Sequence, residues 1–387
     1  MEIDIENMSL ENWIIPRIRF RRGIRGMKKT LVSSFAILLA MSMVVAGCGS
    51  KPQEASKPQE AGKPQEASKP QESTKSEPAK TENKDTVVLK MGFVNAQDSP
   101  VEMGAKKFAE LVEKGTDGKV KIDIYPNGML GGEKQMLDSM KFGAVDFVIT
   151  GDAAFAMFTP KYAGLSSLYL FRDVDHLHKV LNGEIGNEIK AEFNQNLDAT
   201  VLDWWDRSPR NLTANKEIKT PDDLVGMKLR TPEIPNILES WRALGANPTP
   251  MAFTELFSAL ETKVVDGQEN PVDLIYTSKF FEVQSHVMLT EHLIAPFIFL
   301  MNNKKLNGFP EDIQKVIKEA AIEAGNYEKD LTKTSEQEYI QQLKDEGMTV
   351  VEVDKSLFAK KVEEAQVEKQ FESEWAPNLI QRIRDVK

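Results

Sequence analysis

From residue 87 onward, apolar runs of period two alternate with runs of helical period, and that alternation restricts the fold more than any other feature. Residues 87–94 read as a strand bounded by polar positions, 100–115 as an amphipathic helix, and 119–125 as a second strand. A helix over 134–143 and a short buried strand over 146–150 follow. Strands fed by helices in this order need crossover connections, so the pattern predicts α/β layers with a mostly parallel sheet. A strand over 199–205 carries Trp204 and Trp205, another at 228–231 starts a second lobe, and 293–302 reads as a strand crossing back. Pro310 then opens a helical pattern that runs through Ile313, Val316, Ile317 and Ala320 to Leu343, with Gly347 as its stop. Unbroken, a helix of about 37 residues would reach roughly 55 Å, longer than one lobe. A break near Gly325 would instead make two helices, and 356–383 reads as helical as well.

The residues ahead of this pattern are of another kind. Lys28 and Lys29 precede an apolar stretch over 31–46 that is too short for a comfortable membrane span, and Val45, Ala46, Gly47 and Cys48 follow as a lipobox. Residues 27–47 therefore resemble a bacterial lipoprotein signal, which implies cleavage before Cys48, lipidation of Cys48 and a place on the extracytoplasmic face of the cell membrane. An uncleaved membrane helix is the other reading. Residues 1–26, with Arg17, Arg19, Arg21, Arg22 and Arg25, stand before a signal that has its own methionine, as expected if the start is set too far upstream. Over 48–84, hexads beginning K-P-Q-E recur at Lys51, Lys57, Lys63 and Lys69 and offer nothing to build a core. Proline every sixth residue stops helix and stiffens the coil, so this segment is expected to be a disordered spacer.

About 300 residues remain, long for one core and comfortable for two lobes. Removing the leader's five arginines and four acids and the signal's two lysines takes the net charge from −10 to about −13. That balance excludes an ordinary nucleic-acid binder, which needs a basic footprint. It does not exclude a small anion, because arginines within a cleft set the local potential. Cys48 is the only cysteine, so no internal disulfide, four-cysteine zinc site or C-x-x-C pair is available. G-x-S-x-G, G-x-x-x-x-G-K, G-x-G-x-x-G and H-E-x-x-H are all missing. His176 and His178 would point to different sides of a helix, so no metal pair is expected. The chain reads as a non-enzyme that needs no cofactor, with carboxylate acid–base chemistry on organic acids as a remote alternative.

The most telling motifs lie between residues 228 and 271: K-L-R-T-P-E, then N-P-T-P-M-A-F-T-E from Asn247, then V-D-G-Q-E-N-P from Val265. Arginine presents a planar fork of donors that fits a carboxylate in two parallel hydrogen bonds. Arg230 of K-L-R is thus the first candidate for holding an acid, the alternative being a structural pair with a carboxylate such as Glu233.

These three blocks resemble the dicarboxylate-type (DctP) solute-binding proteins of TRAP transporters, the likeness covering roughly residues 87–375. The resemblance implies an α/β, two-lobed periplasmic-binding-protein-like (Venus flytrap) fold, with interlobe crossing strands and a long helix across both lobes. In those terms lobe I would be 85–207, lobe II 208–295, a return to lobe I 296–335, and 336–387 lobe II and C-terminal helices whose packing the sequence does not specify. It further implies that Arg230 binds a ligand carboxylate, with Arg210 as the second arginine, Phe253 packing on the ligand and Asn270 hydrogen-bonding it. Asn95, Glu133, the Thr150-Gly151-Asp152 loop and His292 are further cleft candidates. Members often have a glycine-containing turn before the second arginine, whereas this chain has Arg207-Ser208-Pro209-Arg210, which makes Arg207 a rival. The implied function is capture of a small organic acid, a C4-dicarboxylate or a sugar acid. The loaded monomer would deliver it to the ion-gradient-driven permease subunits of a TRAP system. A sensor that presents its closed form to a receptor kinase would have the same cleft.

Overall fold

The computed structural model describes residues 86–387; the leader, the signal segment, Cys48 and the hexad repeat lie outside the described residues. Eleven strands are found among the described residues: β1 (Val87–Gly92), β2 (Val120–Tyr125), β3 (Phe147–Thr150), β4 (Ala199–Trp205), β5 (Arg210–Ala214), β6 (Lys228–Thr231), β7 (Asn247–Pro250), β8 (Gly267–Pro271), β9 (His286–Leu293), β10 (Phe297–Asn302) and β11 (Thr349–Glu352). They form two sheets, one per lobe, in the orders β2-β1-β3-β10-β4 and β11-β9-β5-β8-β6-β7.

Both sheets are mixed, where the sequence suggested a mostly parallel one. The pairs of β1 with β2 and β3, of β6 with β7 and β8, and of β9 with β11 are parallel. β10 runs antiparallel to β3 and β4, and β5 antiparallel to β8 and β9. The cause is the crossing: the chain leaves the first sheet at β4 for β5 and comes back from β9 to β10. An outgoing and a returning strand laid side by side must run in opposite directions.

The strand expected over 293–302 begins only at Phe297 as β10; Leu293 ends β9 in the other sheet, and 294–296 form the crossing. Pro296 stands just before β10 and Pro209 just before β5. Proline supplies no ladder N–H and restricts the residue before it, so each crossing is interrupted where the chain changes sheets.

The helix Glu311–Asp345 is a single element, without a break at Gly325. Its Ile317, Ala320, Ala321 and Ala324 pack in the core of the first lobe with Leu89, Phe108 and Trp205, whereas Ile340 and Leu343 pack in the second with Leu256 and Val287. Gly325 is required by close approach: a Cβ there would lie 1.9 Å from an Asp203 carboxylate oxygen and 2.9 Å from Trp205 Nε1. The C-terminal stretch, whose packing the sequence left open, divides between the lobes. Phe358 packs in the second lobe, but Trp375, Ala376, Leu379 and Ile383 return to the first, against Val148, Phe155 and Phe193. No helix of the described residues is long and apolar enough to cross a membrane.

Candidate functional site

Parallel strands have their carboxyl-terminal ends at one edge of the sheet, and the loops that leave those ends are where open α/β sheets gather polar side chains. Asn95 lies three residues beyond β1, and Gly151 and Asp152 leave β3 directly. Glu133 opens the helix Glu133–Lys141, where a carboxylate suits the unpaired amides of a first turn. Its Oε1 accepts from Thr150 Oγ1 at 2.9 Å and from the Gly151 amide at 2.7 Å. Thr150 thus faces Glu133 and not the cavity.

The second lobe brings Arg230 from β6, Asn270 from β8 and Phe253 from the turn after β7. Asn95, Glu133, Gly151 and Asp152 of one lobe and Arg210, Arg230, Phe253 and Asn270 of the other line a single cavity of ≈ 30 Å³. Glu133, Ala153, Arg230, Pro232 and Phe253 also line an adjoining hollow of ≈ 210 Å³. Together these have room for a small molecule, given that one water needs only about 10–15 Å³ of such space. The lobes touch across the cleft, since a Cβ on Gly128 would meet the Thr254 methyl at 3.0 Å.

Three guanidiniums converge here, and their partners set them apart. Arg210 lays its fork on Glu269: Nε and Nη2 both donate to the carboxylate, the Nη2 bond being 2.6 Å, and Nη2 also donates to the Glu269 carbonyl at 2.6 Å. His292 completes that knot, with Nε2 2.9 Å from Glu269, Nδ1 2.8 Å from Thr290 Oγ1 and its ring edge-on to Trp241. The β5–β9 register shifts between Arg210 and Leu212, and this bulge contains His292 on the β9 side. His292 does not line the cavity; it braces Glu269 from behind.

Burial opposes ionisation of Glu269, but the Arg210 guanidinium more than offsets it and holds the carboxyl at about 2. Burial likewise lowers His292, against the pull of Glu269. Arg207 reaches the cavity too: Nη1 donates to Asp152 Oδ1 at 2.9 Å and the guanidinium lies over the Phe297 ring at 4.9 Å.

Arg230 differs from both. It is 3% exposed, and its Nε and Nη2 donate to the Met251 carbonyl at 3.1 and 2.8 Å, a neutral acceptor. No carboxylate pairs with it among the described residues, Glu233 included. Burial is the main reason its pKa falls to about 10. Orphaned polar atoms surround it: Asn95 Oδ1 and Nδ2, Asp152 Oδ2 and Arg207 Nε are buried without a hydrogen-bond partner.

Glu269 is a site residue the sequence reading does not name, while Arg210 and its rival Arg207 both line the cavity. The signal for Glu269 was available, because side chains alternate along a strand and Glu269 must face away from Gln268 and Asn270, which bond each other. A glutamate in a strand whose every residue is buried calls for a cation beside it. Among the described residues no group of acids, histidines or cysteines is arranged to hold a metal; His176 bonds the Ile383 carbonyl and His178 bonds Asp206.

Residues 91–374 match the family model described as DctP, bacterial extracellular solute-binding protein, family 7. The 2,3-diketo-L-gulonate-binding periplasmic protein YiaO of Escherichia coli is 34% identical over 273 residues, 70% of this chain and 83% of that one. The C4-dicarboxylate-binding periplasmic protein DctP of Rhodobacter capsulatus is 34% identical over 275 residues, 71% of this chain and 81% of its own length. A crystal structure of a TRAP periplasmic solute-binding protein from Roseobacter denitrificans with bound L-galactonate superposes with a TM-score of 0.72 at 34% identity, covering 77% of this chain and 98% of that one. The motif spacing, the two crossed lobes and the arginine-lined cleft agree with these matches, and the chain belongs to the DctP family of bacterial extracellular solute-binding proteins.

Proposed function

We propose that this protein captures a small organic acid between its lobes, with the acid's carboxylate on Arg230, and hands the loaded form to the membrane subunits of a TRAP-type permease. One observation carries the reading: a buried guanidinium opens on an interlobe cavity with no acidic partner among the described residues. An unpaired buried charge is strongly unfavourable, and a ligand carboxylate is the natural partner for it. Kinship with relatives named for a diketo sugar acid and for C4-dicarboxylates supports the same class of ligand.

In this reading Phe253 packs on the ligand, and Asn270 and Asn95 hydrogen-bond it. Arg210 and Arg207 flank it, both lining the cavity and each held by a carboxylate, Glu269 and Asp152. Thr150 and His292 act through Glu133 and Glu269. Closure swings the lobes about the paired crossings at 206–209 and 294–296. Lipid on Cys48 keeps the protein, a monomer, at the extracytoplasmic face of the membrane, with 48–84 as its tether. Delivery then needs an ion gradient and no ATPase subunit.

A thermal-shift screen of the purified protein against carboxylic acids and neutral sugars tests the reading. Tight binding raises the melting temperature by mass action, by an amount that grows with ligand concentration. At least one acid is expected to do this and no neutral analogue of it. A screen in which acids and their neutral analogues stabilise equally would overturn the proposal.

A further inference from the structure

The pole of the first lobe that lies away from the cleft carries a surface for which acid binding has no use. Phe142, 85% exposed, is the most exposed large apolar side chain among the described residues. It caps the helix Glu133–Lys141, and Gly143, at φ +76°, turns the chain directly after it, so the ring stays outside the core. Phe142, Phe309 and Val87 line a hollow of ≈ 520 Å³ together with Lys141, Lys304 and Lys305. Lys141 Nζ donates to the Asn196 carbonyl at 3.0 Å, Lys305 lies 3.5 Å from Asp146, and Lys304 has no acidic partner among the described residues. Asp198 is the one acid in the lining, and its carboxylate already accepts from Asn303 Nδ2 at 3.2 Å. In a mature chain of net charge about −13, this surface is locally basic as well as apolar.

The chain enters the fold at the same pole. Thr86 Oγ1 donates to the Gly118 carbonyl at 3.1 Å and the Val87 amide to the Lys119 carbonyl at 2.8 Å, which fixes the entry beside the hollow. From Val87, β1 runs toward Asn95 in the cavity, so hollow and cavity lie at opposite ends of one strand, roughly 20 Å or more apart at about 3.3 Å per residue. Cys48 stands 38 residues before Thr86. A flexible chain of that length spans roughly 35 Å and keeps its ends at an effective concentration of about the millimolar range. A surface affinity too weak to hold a detached protein is then enough for an anchored one.

Lysines around an exposed aromatic ring suit a bilayer better than a protein partner. The centres of protein interfaces are depleted in lysine. At a membrane surface the lysine stem lies along apolar material with its ammonium among lipid phosphates, and a phenylalanine ring enters the boundary between headgroups and acyl chains. We propose that this pole of the first lobe rests on the anionic bilayer that anchors the chain, with Phe142 in the interface and Lys141, Lys304 and Lys305 on lipid phosphates, so that the cleft faces away from the membrane while the protein awaits its ligand. This rests on the reading that Cys48 carries lipid.

The test uses the full-length lipoprotein on vesicles of phosphatidylcholine alone and of phosphatidylcholine with phosphatidylglycerol. An environment-sensitive fluorophore is placed on Asn307→Cys, two residues from Phe309, or on Val264→Cys, 55% exposed in the second lobe. Lipid on the Cys48 sulfur leaves the new thiol as the only one to label. Emission from position 307 should shift to the blue and rise on the anionic vesicles and fall back in high salt, and emission from 264 should do neither. Phe142→Ser or Lys304→Glu should remove about half or more of the change. Both side chains are exposed, so neither substitution should move the melting temperature, and should one variant fail to fold, the other decides.

Lipid on Cys48 by intact mass, with a signal at 307 that ignores phosphatidylglycerol, would sink this inference and leave the anchor reading standing. A mature chain without lipid on Cys48 would remove the anchor reading and this inference with it. A signal at 307 that grows with protein density on neutral vesicles would assign the surface to a second copy of the chain and overturn the inference as well.

Discussion

Two buried arginines twenty residues apart should respond to truncation in opposite ways, and the contrast separates a binding arginine from a structural one. Arg210→Ala leaves Glu269, 0% exposed, without its cation. Breaking a buried pair by removing one partner costs about 3–5 kcal/mol of stability, because the remaining charge stays out of water. Arg230→Ala removes a buried cation that has no acidic partner and loses two bonds to one carbonyl. Lost bonding and relieved charge oppose each other there, so ligand-free stability should change by no more than about 1 kcal/mol. The order reverses for the ligand. Without Arg230 its carboxylate is desolvated and unpaired, a loss of about 2–5 kcal/mol of binding, or about 30-fold to several thousandfold in affinity. Urea denaturation without ligand and calorimetric titration with the tightest acid measure the two quantities. An Arg230→Ala protein that binds within threefold of wild type, or is destabilised as much as Arg210→Ala, would refute the assignment.

Acid titration should report the Arg210–Glu269 knot. The folded-state pKa of Glu269 lies near 2, below its ordinary 4.5, so the unfolded chain takes up the proton first. The stability it contributes is whole above about 4.5 and lost as pH falls toward 2. Denaturation midpoints measured across that interval should fall for wild type and fall less steeply for Glu269→Gln; equal slopes would count against the pair. At the crossing of helix Pro100–Gly115 with the long helix, a Cβ on Gly104 would come within 2.8 Å of the Trp205 ring and 2.9 Å of Glu328 Cβ. Trp205 is fully buried and cannot yield, so Gly104→Ala should destabilise the protein by about 1–3 kcal/mol. Its melting temperature should fall while affinity per folded molecule stays unchanged; a variant as stable as wild type would mean that this contact has slack.

What was legible in the sequence was local. The strand and helix periods over 87–150 survive folding because their side chains pack where the period puts them, and Arg230 was legible because its motif is contiguous. Partnership was not legible. That Arg210 is held in a two-point pair is decided by Glu269, about sixty residues farther on, on the strand β8 that the register lays beside β5. The late start of β10 at Phe297 falls just after Pro296, as the start of β5 falls just after Pro209. The return of Trp375 and Ile383 to the first lobe has no local signal, since a buried helix face has the same period whichever core receives it.

These charges also explain why lobe closure should await the ligand. Arg230 stands on the second lobe, and the cavity walls that face it, Asn95, Glu133 and Asp152, stand on the first. When the lobes part, water solvates the guanidinium and the orphaned atoms of Asn95 and Asp152. When they close on nothing, all of these groups lose that water together, and the penalty for each unpaired polar atom is about 1–3 kcal/mol, more for a charge. A ligand that offers a carboxylate to Arg230 and hydrogen bonds to the facing wall replaces the lost water on both walls at once. The closed form then prevails because the ligand binds it better than the open one, which is the condition for any ligand-driven shift. The Arg210–Glu269 and Arg207–Asp152 pairs leave Arg230 as the one guanidinium of the cavity without a carboxylate bonded to it. The energy of closing is therefore tied to a ligand that brings a carboxylate to Arg230.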